Sequence, residues 1–93
     1  ADQAPRVALD EFEANIADVE VVKYVTKAGK ILRWAIITTK SGFAVVGRPS
    51  AAVSEENDDE EIGVQVALDS AKNELWPMMG YALADRLYRA QQP

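Results

Sequence analysis

Residues 20–48, EVVKYVTKAGKILRWAIITTKSGFAVVGR, decide the fold class of this chain. Two of its segments, 20–27 and 30–39, are rich in the β-branched and aromatic residues that favour strands. Ala28-Gly29 separates them, and glycine is a residue that a tight hairpin turn favours. The pattern therefore predicts two antiparallel strands joined by a short turn.

A third strand follows a second turn. Lys40-Ser41-Gly42 supplies the turn residues, and residues 43–48 again have the composition of a strand. We expect Pro49 to end the sheet, because proline cannot donate to a strand ladder, and we interpret residues 49–57 as a loop. The prediction is a three-stranded antiparallel β-meander.

The middle strand has no polar face. Side chains alternate between the two faces of a strand, so residues 30–39 divide into two sets. Neither set is clearly polar, which predicts a central strand that is covered at least partly on both sides. The sets are Leu32, Trp34, Ile36 and Thr38 on one face and Ile31, Arg33, Ala35 and Ile37 on the other.

Helices are predicted on both sides of the meander. Before it, after a flexible lead-in at residues 1–6, apolar residues at helical spacing predict a helix over about 8–18. After it, Asn57 and Glu60 fit a capping box, and apolar residues three and four apart predict a helix over about 58–75. The apolar positions are Leu9, Phe12, Ile16 and Val19 in the first helix, and Val64, Ala67, Leu68, Ala71, Leu75 and Met78 in the series that marks the second.

The C-terminal stretch contains a sequence signal for a helix interruption. Proline removes a helical donor and restricts the residue before it, so Trp76-Pro77 predicts a joint between two helices or a sharp kink in one. The residues after Pro77 form an apolar face, which we interpret as part of the core, with an interface between copies of the chain as the alternative. The members of this face are Met78, Met79, Ala82, Leu83 and Leu87, with Tyr81 and Tyr88 nearby. The expected fold is α+β, one domain over residues 7–93, whose C-terminal helix is kinked or broken at Trp76-Pro77.

Composition narrows the function classes. The 93 residues contain no His and no Cys, which excludes thiolate nucleophiles, zinc–cysteine clusters, most nucleophilic triads and most transition-metal sites. We therefore expect a non-enzymatic protein without catalytic residues, cofactor or metal.

No apolar run reaches the roughly 18–20 residues of a membrane span, so we expect a cytoplasmic protein without a membrane partner. The small core leaves a monomer and a homo-oligomer equally open.

Charge is segregated along the chain. Residues 21–54 contain six basic side chains and no acidic one, whereas residues 55–61 contain six carboxylates, although the net charge is −5. The simplest interpretation is that lysines protect strand edges and acids favour a helix N-terminus. The acidic run is also a candidate interaction surface for a host protein: Glu55, Glu56, Asp58, Asp59, Glu60 and Glu61. A duplex nucleic-acid partner is disfavoured by the acidic net charge.

The basic strands suggest a second candidate surface. Cationic and aromatic side chains converging in one pocket would bind an anionic, nucleotide-like ligand. The residues that such a pocket would use are Arg33, Trp34, Arg48, Trp76 and Tyr81.

Short motifs in the second half of the chain resemble a known family. The pattern consists of three motifs: SGF-x-V-x-G, then EN-x-D-x-EIG, then LWP-x-x-GY-x-L-x-x-RLY. The matching positions are Ser41-Gly42-Phe43, Val45, Gly47, Glu56-Asn57, Asp59, Glu61-Ile62-Gly63, Leu75-Trp76-Pro77, Gly80-Tyr81, Leu83 and Leu87. It is similar to the small tailed-phage and prophage proteins named after gene product forty-nine of coliphage N-four and gene sixty-six of phage Sf-six. The chain departs from that pattern at Ser41, where Asn is usual, and at Arg48-Pro49, where Glu-Ser is common.

The resemblance covers about half of the chain and implies an origin more than an activity. It implies expression in an infected or lysogenic bacterial cytoplasm, and it carries no catalytic residue over to this sequence. Together with the composition, it favours a non-enzymatic phage or prophage accessory protein that binds a host macromolecule. The alternatives are a protein that binds or sequesters a small nucleotide-like ligand, and a structural or assembly oligomer.

Overall fold

The computed structural model describes residues 6–52 and 58–92. The elements in chain order are α1 (Leu9–Ala14), β1 (Ile16–Val25), β2 (Ile31–Thr39), β3 (Ala44–Val46), β4 (Ser50–Ala51) and α2 (Glu60–Ala90). A short helix, an antiparallel sheet and a long C-terminal helix confirm the predicted α+β class.

β2 is the central strand of the sheet, as predicted. β1 pairs with it along one side, with Val25 opposite Ile31 and Val19 opposite Ile37. On the other side, β3 and β4 each pair with a different part of β2. The prediction that Pro49 ends the sheet is therefore wrong: proline interrupts the ladder, and the chain then returns to β2 as the two-residue β4.

The first helix is shorter than the predicted 8–18. α1 ends at Ala14, and Ile16 already pairs with Thr39 in the sheet. The backbone N–H of Lys40 donates to the carbonyl of Asn15 at 3.0 Å, which holds the junction between α1 and β1 against the end of β2. Ile16 and Val19 have helical spacing, but β-branched residues also favour strands, and pairing with β2 decides between the two.

α2 runs without interruption through Pro77 from Glu60 to Ala90. A break at Trp76-Pro77 is therefore excluded. Proline removes one helical hydrogen bond, but the ladder continues on both sides of it. The helix is capped by Asp59, whose carboxylate accepts from the Ile62 N–H at 3.2 Å. The predicted cap, Asn57, lies outside the described residues.

One face of the sheet carries the core. α1 and α2 both pack on this face, and Trp76 of α2 stacks on Phe12 of α1 with ring centroids 3.9 Å apart and planes 9° from parallel. Trp76 therefore lies inward, against the core. The buried cluster consists of Phe12, Ala35, Ile37, Val45, Ala67, Ala71 and Leu75.

Two parts of the fold receive little cover. In β2, the odd-numbered residues are buried under the helices, whereas the even-numbered residues on the opposite face are only half-buried. In β1, Val19, Val21 and Val25 face the helices but are exposed, because α2 lies mainly over β2 and β3. The molecule is elongated, 59 × 29 × 17 Å, since the 31 residues of α2 span about 46 Å at 1.5 Å per residue.

Candidate functional site

Arg33 is a buried cation that is paired with a carboxylate near the acidic N-terminus of α2. Its two terminal nitrogens donate to the two carboxylate oxygens of Asp58, at 2.5 Å for Nη1 to Oδ1 and 2.8 Å for Nη2 to Oδ2. Only 4% of Arg33 is exposed. Gly63 leaves room for the guanidinium, because a Cβ at this glycine would lie 2.7 Å from Nη1.

This bidentate pair shifts the pKa of both groups. The hydrogen bonds with Asp58 raise the pKa of Arg33 above its usual range, against an opposing effect of burial. The same hydrogen bonds lower the pKa of the Asp58 carboxyl, with further lowering by the charges of Arg33 and Lys23. Arg33 and Asp58 thus neutralise each other inside the fold, and the Arg33 guanidinium is already occupied by a carboxylate.

The rest of the described acidic run starts α2. Asp59 is the N-cap, and Glu60 and Glu61 form the first turn, where the helix dipole favours negative charge. Glu60 and Glu61 are exposed, so they remain available to a partner. Glu55 and Glu56 lie outside the described residues. Two of the four described acids therefore have a structural task within the fold.

The five residues predicted to form a ligand pocket are dispersed. Arg33 and Trp34 are neighbours on β2, and their side chains lie on opposite faces of the sheet. Trp76 packs against Phe12 in the core. Arg48 is exposed, and its backbone N–H donates to Ser70 Oγ at 2.8 Å. Tyr81 is 73% exposed on α2. The structure does not bring Arg33 and Trp34 into one pocket.

Trp34 instead lies at the centre of an apolar surface, which we call the open face. It is the side of the sheet opposite the helices, and no described helix packs on it. The cross-strand register places Val22 beside Trp34, Tyr24 beside Leu32, and Val46 beside Ile36. Its apolar members are Val22, Tyr24, Leu32, Trp34, Ile36 and Val46. The alternation along β2 indicated half of this surface, but the partners from β1 and β3 depend on the register.

The open face has an acidic border on β1. Asp18 lies opposite Thr38, and Glu20 lies opposite Ile36, so both carboxylates are on the same side of the sheet as Trp34. Both acids are exposed. The surface therefore combines an apolar centre with negative charge along one end.

The C-terminal half of α2 is part core and part surface. Met79 is half-buried and packs against the core cluster, whereas Met78, Tyr81, Leu87 and Tyr88 are exposed. A shallow cavity of about 350 Å³ lies along this segment, lined in part by Trp76, Gly80 and Leu83. Core packing thus accounts for only some of the predicted apolar face.

The described residues offer neither a cluster of metal ligands nor a membrane-spanning helix. Within residues 6–52 and 58–92, no three acidic side chains come together as a possible metal site. Over the same residues, neither helix combines the length and the hydropathy needed to cross a bilayer.

Comparison with known proteins gives one match. A family model described as the phage protein (N4 Gp49/phage Sf6 gene 66) family matches residues 7–87. Comparisons with curated proteins and with solved structures each gave no significant match.

Proposed function

The chain belongs to this phage protein family, and from that premise we propose that it is a non-enzymatic accessory protein that binds a host protein through the open face. The observation that carries the proposal is the position of Trp34. It lies in the middle of the sheet, on the side where no helix of the described residues packs, with Val22 beside it on β1. Large aromatic residues surrounded by apolar neighbours are the side chains that most often dominate binding energy at protein interfaces.

The border of the open face suggests the chemistry of the partner. Asp18 and Glu20 are exposed carboxylates beside the apolar centre. A matching protein would present apolar side chains to Trp34 and basic side chains to these acids, since opposite charges at an interface rim speed association and favour the correct orientation. A basic partner also agrees with the net charge of −5.

The open face supports partner binding better than the acidic run does. Asp58 is committed to Arg33 and Asp59 caps α2, so neutralising the whole run would damage the fold. A variant that tests the run without this damage changes only Glu60 and Glu61 to Gln.

Affinity capture from bacterial lysate tests the proposal when four proteins are compared. The four proteins are wild type, Trp34→Ala, Tyr88→Ala and the Glu60→Gln/Glu61→Gln double variant. Tyr88→Ala is the matched control for Trp34→Ala. Tyr88 is a suitable control because it is an exposed aromatic residue on α2, away from the open face. Circular dichroism verifies that each variant is folded before capture.

The proposal expects one host protein to be retained by wild type, Tyr88→Ala and the glutamine variant, and to be lost with Trp34→Ala. Retention of the same protein by Trp34→Ala would contradict the role of the open face. Loss with only the glutamine variant would move the binding site to the start of α2. Wild type that captures no specific protein would count against binding to a host protein altogether.

A further inference from the structure

The outer edge of β1 is unusual for a small sheet. β1 has ten residues, and among residues 6–52 and 58–92 it pairs only with β2, on one side. The opposite edge of the sheet is made of β3 and β4, with three and two residues and Pro49 between them. One edge is therefore short and interrupted, whereas the other is long and continuous.

The hydrogen bonds identify which backbone groups point outward from β1. At the hairpin, the Thr26 N–H donates to the Lys30 carbonyl at 2.8 Å. In an antiparallel pair, alternate residues direct both backbone groups toward the partner strand. Even-numbered residues of β1 therefore bond to β2, and odd-numbered ones direct their N–H and C=O away from it: Val19, Val21, Lys23 and Val25.

The opposite side of β2 supports this alternation independently. There the Gly47 N–H donates to the Ala35 carbonyl at 3.0 Å, and the Thr39 N–H donates to the Phe43 carbonyl at 2.8 Å. Odd-numbered residues of β2 thus bond to the β3 side, which leaves its even-numbered residues for β1.

The edge of β1 has few features that prevent pairing. Natural edges are commonly protected by proline, charge, bulges or short length. β1 contains no proline, its bulge lies at one end, between Ile16 and Asp18, and Lys23 is the single cation among the outward residues. Val19, Val21 and Val25 are exposed on the helix side of the strand.

We propose that β1 pairs antiparallel with β1 of a second copy, about a twofold axis at Val22. A copy of the same strand presents the same outward donors and acceptors, so a twofold arrangement satisfies both edges at once and then closes. The two sheets become one continuous sheet, and only the short β3 and β4 edges remain. This inference does not depend on the proposed host partner.

The register follows from parity and charge. Side chains on the same face must lie opposite each other, so each residue pairs with one of the same parity. A centre at Val22 places Val19 opposite the partner's Val25 and Val21 opposite the partner's Lys23, which uses all four outward residues. A centre at Glu20 would instead place two glutamates face to face, which destabilises a strand pair.

The centre at Val22 also avoids the bulge. A centre at Val21 would place Val25 opposite the partner's Ala17, which lies in the irregular part of the strand. With the centre at Val22, Glu20 lies opposite the partner's Tyr24. The twofold axis is perpendicular to the sheet, so both open faces lie on the same side of the dimer.

Single cysteine variants test the pairing and its register, because the chain has no cysteine of its own. Val22 would be opposite its own copy at a non-hydrogen-bonded position, where Cα atoms are about 4.5 Å apart, within the range of a disulfide. Val22→Cys is compared with Glu20→Cys and Val21→Cys for register, and with Val46→Cys as the control. Val46 is on the opposite edge and is 54% exposed, whereas Val22 is half-buried.

Under mild oxidation, Val22→Cys is expected to give a larger fraction of covalent dimer than the other three cysteine variants do. The dimer is identified by its mass, which is twice the 10.2 kDa of the chain. Cross-linking that is strongest at Val46→Cys would indicate random collision and overturn the proposal. Cross-linking that is strongest at Glu20→Cys or Val21→Cys would overturn the centre at Val22.

Val21→Pro tests the same edge without cysteine. The Val21 N–H points away from β2, so this proline removes an outward donor and leaves the β1–β2 ladder intact. Sedimentation is expected to give a dimer for wild type at high micromolar concentration and a monomer for Val21→Pro with an unchanged circular dichroism spectrum. A monomeric wild type, or a folded Val21→Pro that remains dimeric, would overturn the proposal.

Discussion

Gly47→Ala tests how closely α2 packs on the sheet. A Cβ at Gly47 would lie 2.5 Å from the backbone nitrogen of Ala71, and 2.9 Å from both Ala71 Cα and the carbonyl carbon of Ser70. All three are backbone atoms of the helix, so no side-chain rotation relieves the contact. An ordinary contact begins at 3.4 Å, so α2 must move away by about 0.9 Å.

The displacement of α2 from the sheet determines how much free energy of unfolding the substitution costs. Overpacking of this kind costs about 1–3 kcal/mol, and a gap approaching 1 Å forfeits a quarter to a half of the dispersion energy of each separated contact. The separated contacts include Ala35 and Ala67, which are fully buried. Alanine offsets about 0.4–1 kcal/mol by restricting the unfolded chain. The expected net loss in free energy of unfolding is about 1–2.5 kcal/mol, or roughly 4–20 °C in Tm.

Gly80→Ala is the matched control. Gly80 lies within α2, and a Cβ there would meet no atom within 4 Å. The same substitution should therefore stabilise the protein by about 0.5–1 kcal/mol, because alanine is the better helix former.

The assay is urea unfolding followed by circular dichroism at one fixed protein concentration, because association would make apparent stability depend on concentration. The slope of free energy against urea should stay constant across the variants. A Gly47→Ala protein as stable as wild type would refute the close packing of α2 on Gly47.

Two further predictions concern the core and the buried ion pair. Phe12→Ala should lower the free energy of unfolding by about 3–5 kcal/mol, measured by urea unfolding, because it removes a fully buried ring and its stack on Trp76; a loss below about 1 kcal/mol would contradict that packing. Arg33 lowers the pKa of Asp58 in the folded state. The pair therefore stabilises the folded protein at pH values above about 3.9, which is the pKa of an aspartate in the unfolded chain. This stabilisation is lost as the pH falls through the lower pKa that Asp58 has in the folded protein. Asp58→Asn should therefore lower Tm at pH 7 and flatten the fall of Tm between about pH 5 and pH 2. Glu74→Gln, at an exposed position of α2, is the control and should leave Tm at pH 7 unchanged. An Asp58→Asn profile parallel to wild type would contradict this role.

The sheet was predictable from sequence because its signals are local. Ala28-Gly29 and Lys40-Ser41-Gly42 mark the turns, and Gly29 and Gly42 do adopt positive φ, at 83° and 87°. β4 carried no such signal, since a strand of two residues is defined only by its pairing with Leu32 and Arg33.

The helix boundaries depended on contacts that the sequence does not display. Ile16 fits a helical period, yet it pairs with Thr39. Proline costs about 3 kcal/mol inside a helix, yet α2 continues past Pro77 because Leu75, Trp76 and Met79 on both sides of it pack against the core. Tertiary packing outweighed local preference at both places.

The candidate site was only partly predictable. Alternation along β2 identifies Trp34, Leu32 and Ile36 as one face, but it does not reveal that both described helices, α1 and α2, lie on the other side. Arg33 was predicted as an anion-binding group. Its partner Asp58 is 25 residues away in sequence, and that pairing depends on how α2 begins beside β2.

The open face is the surface proposed to bind a host protein, and site-specific photo-cross-linking tests that proposal at single residues. A benzophenone amino acid replaces Trp34 in one protein and Tyr88 in a second, and each is irradiated in bacterial lysate. One discrete covalent adduct with a host protein is expected from position 34, and none is expected from position 88. An adduct from position 88 without one from position 34 would contradict it.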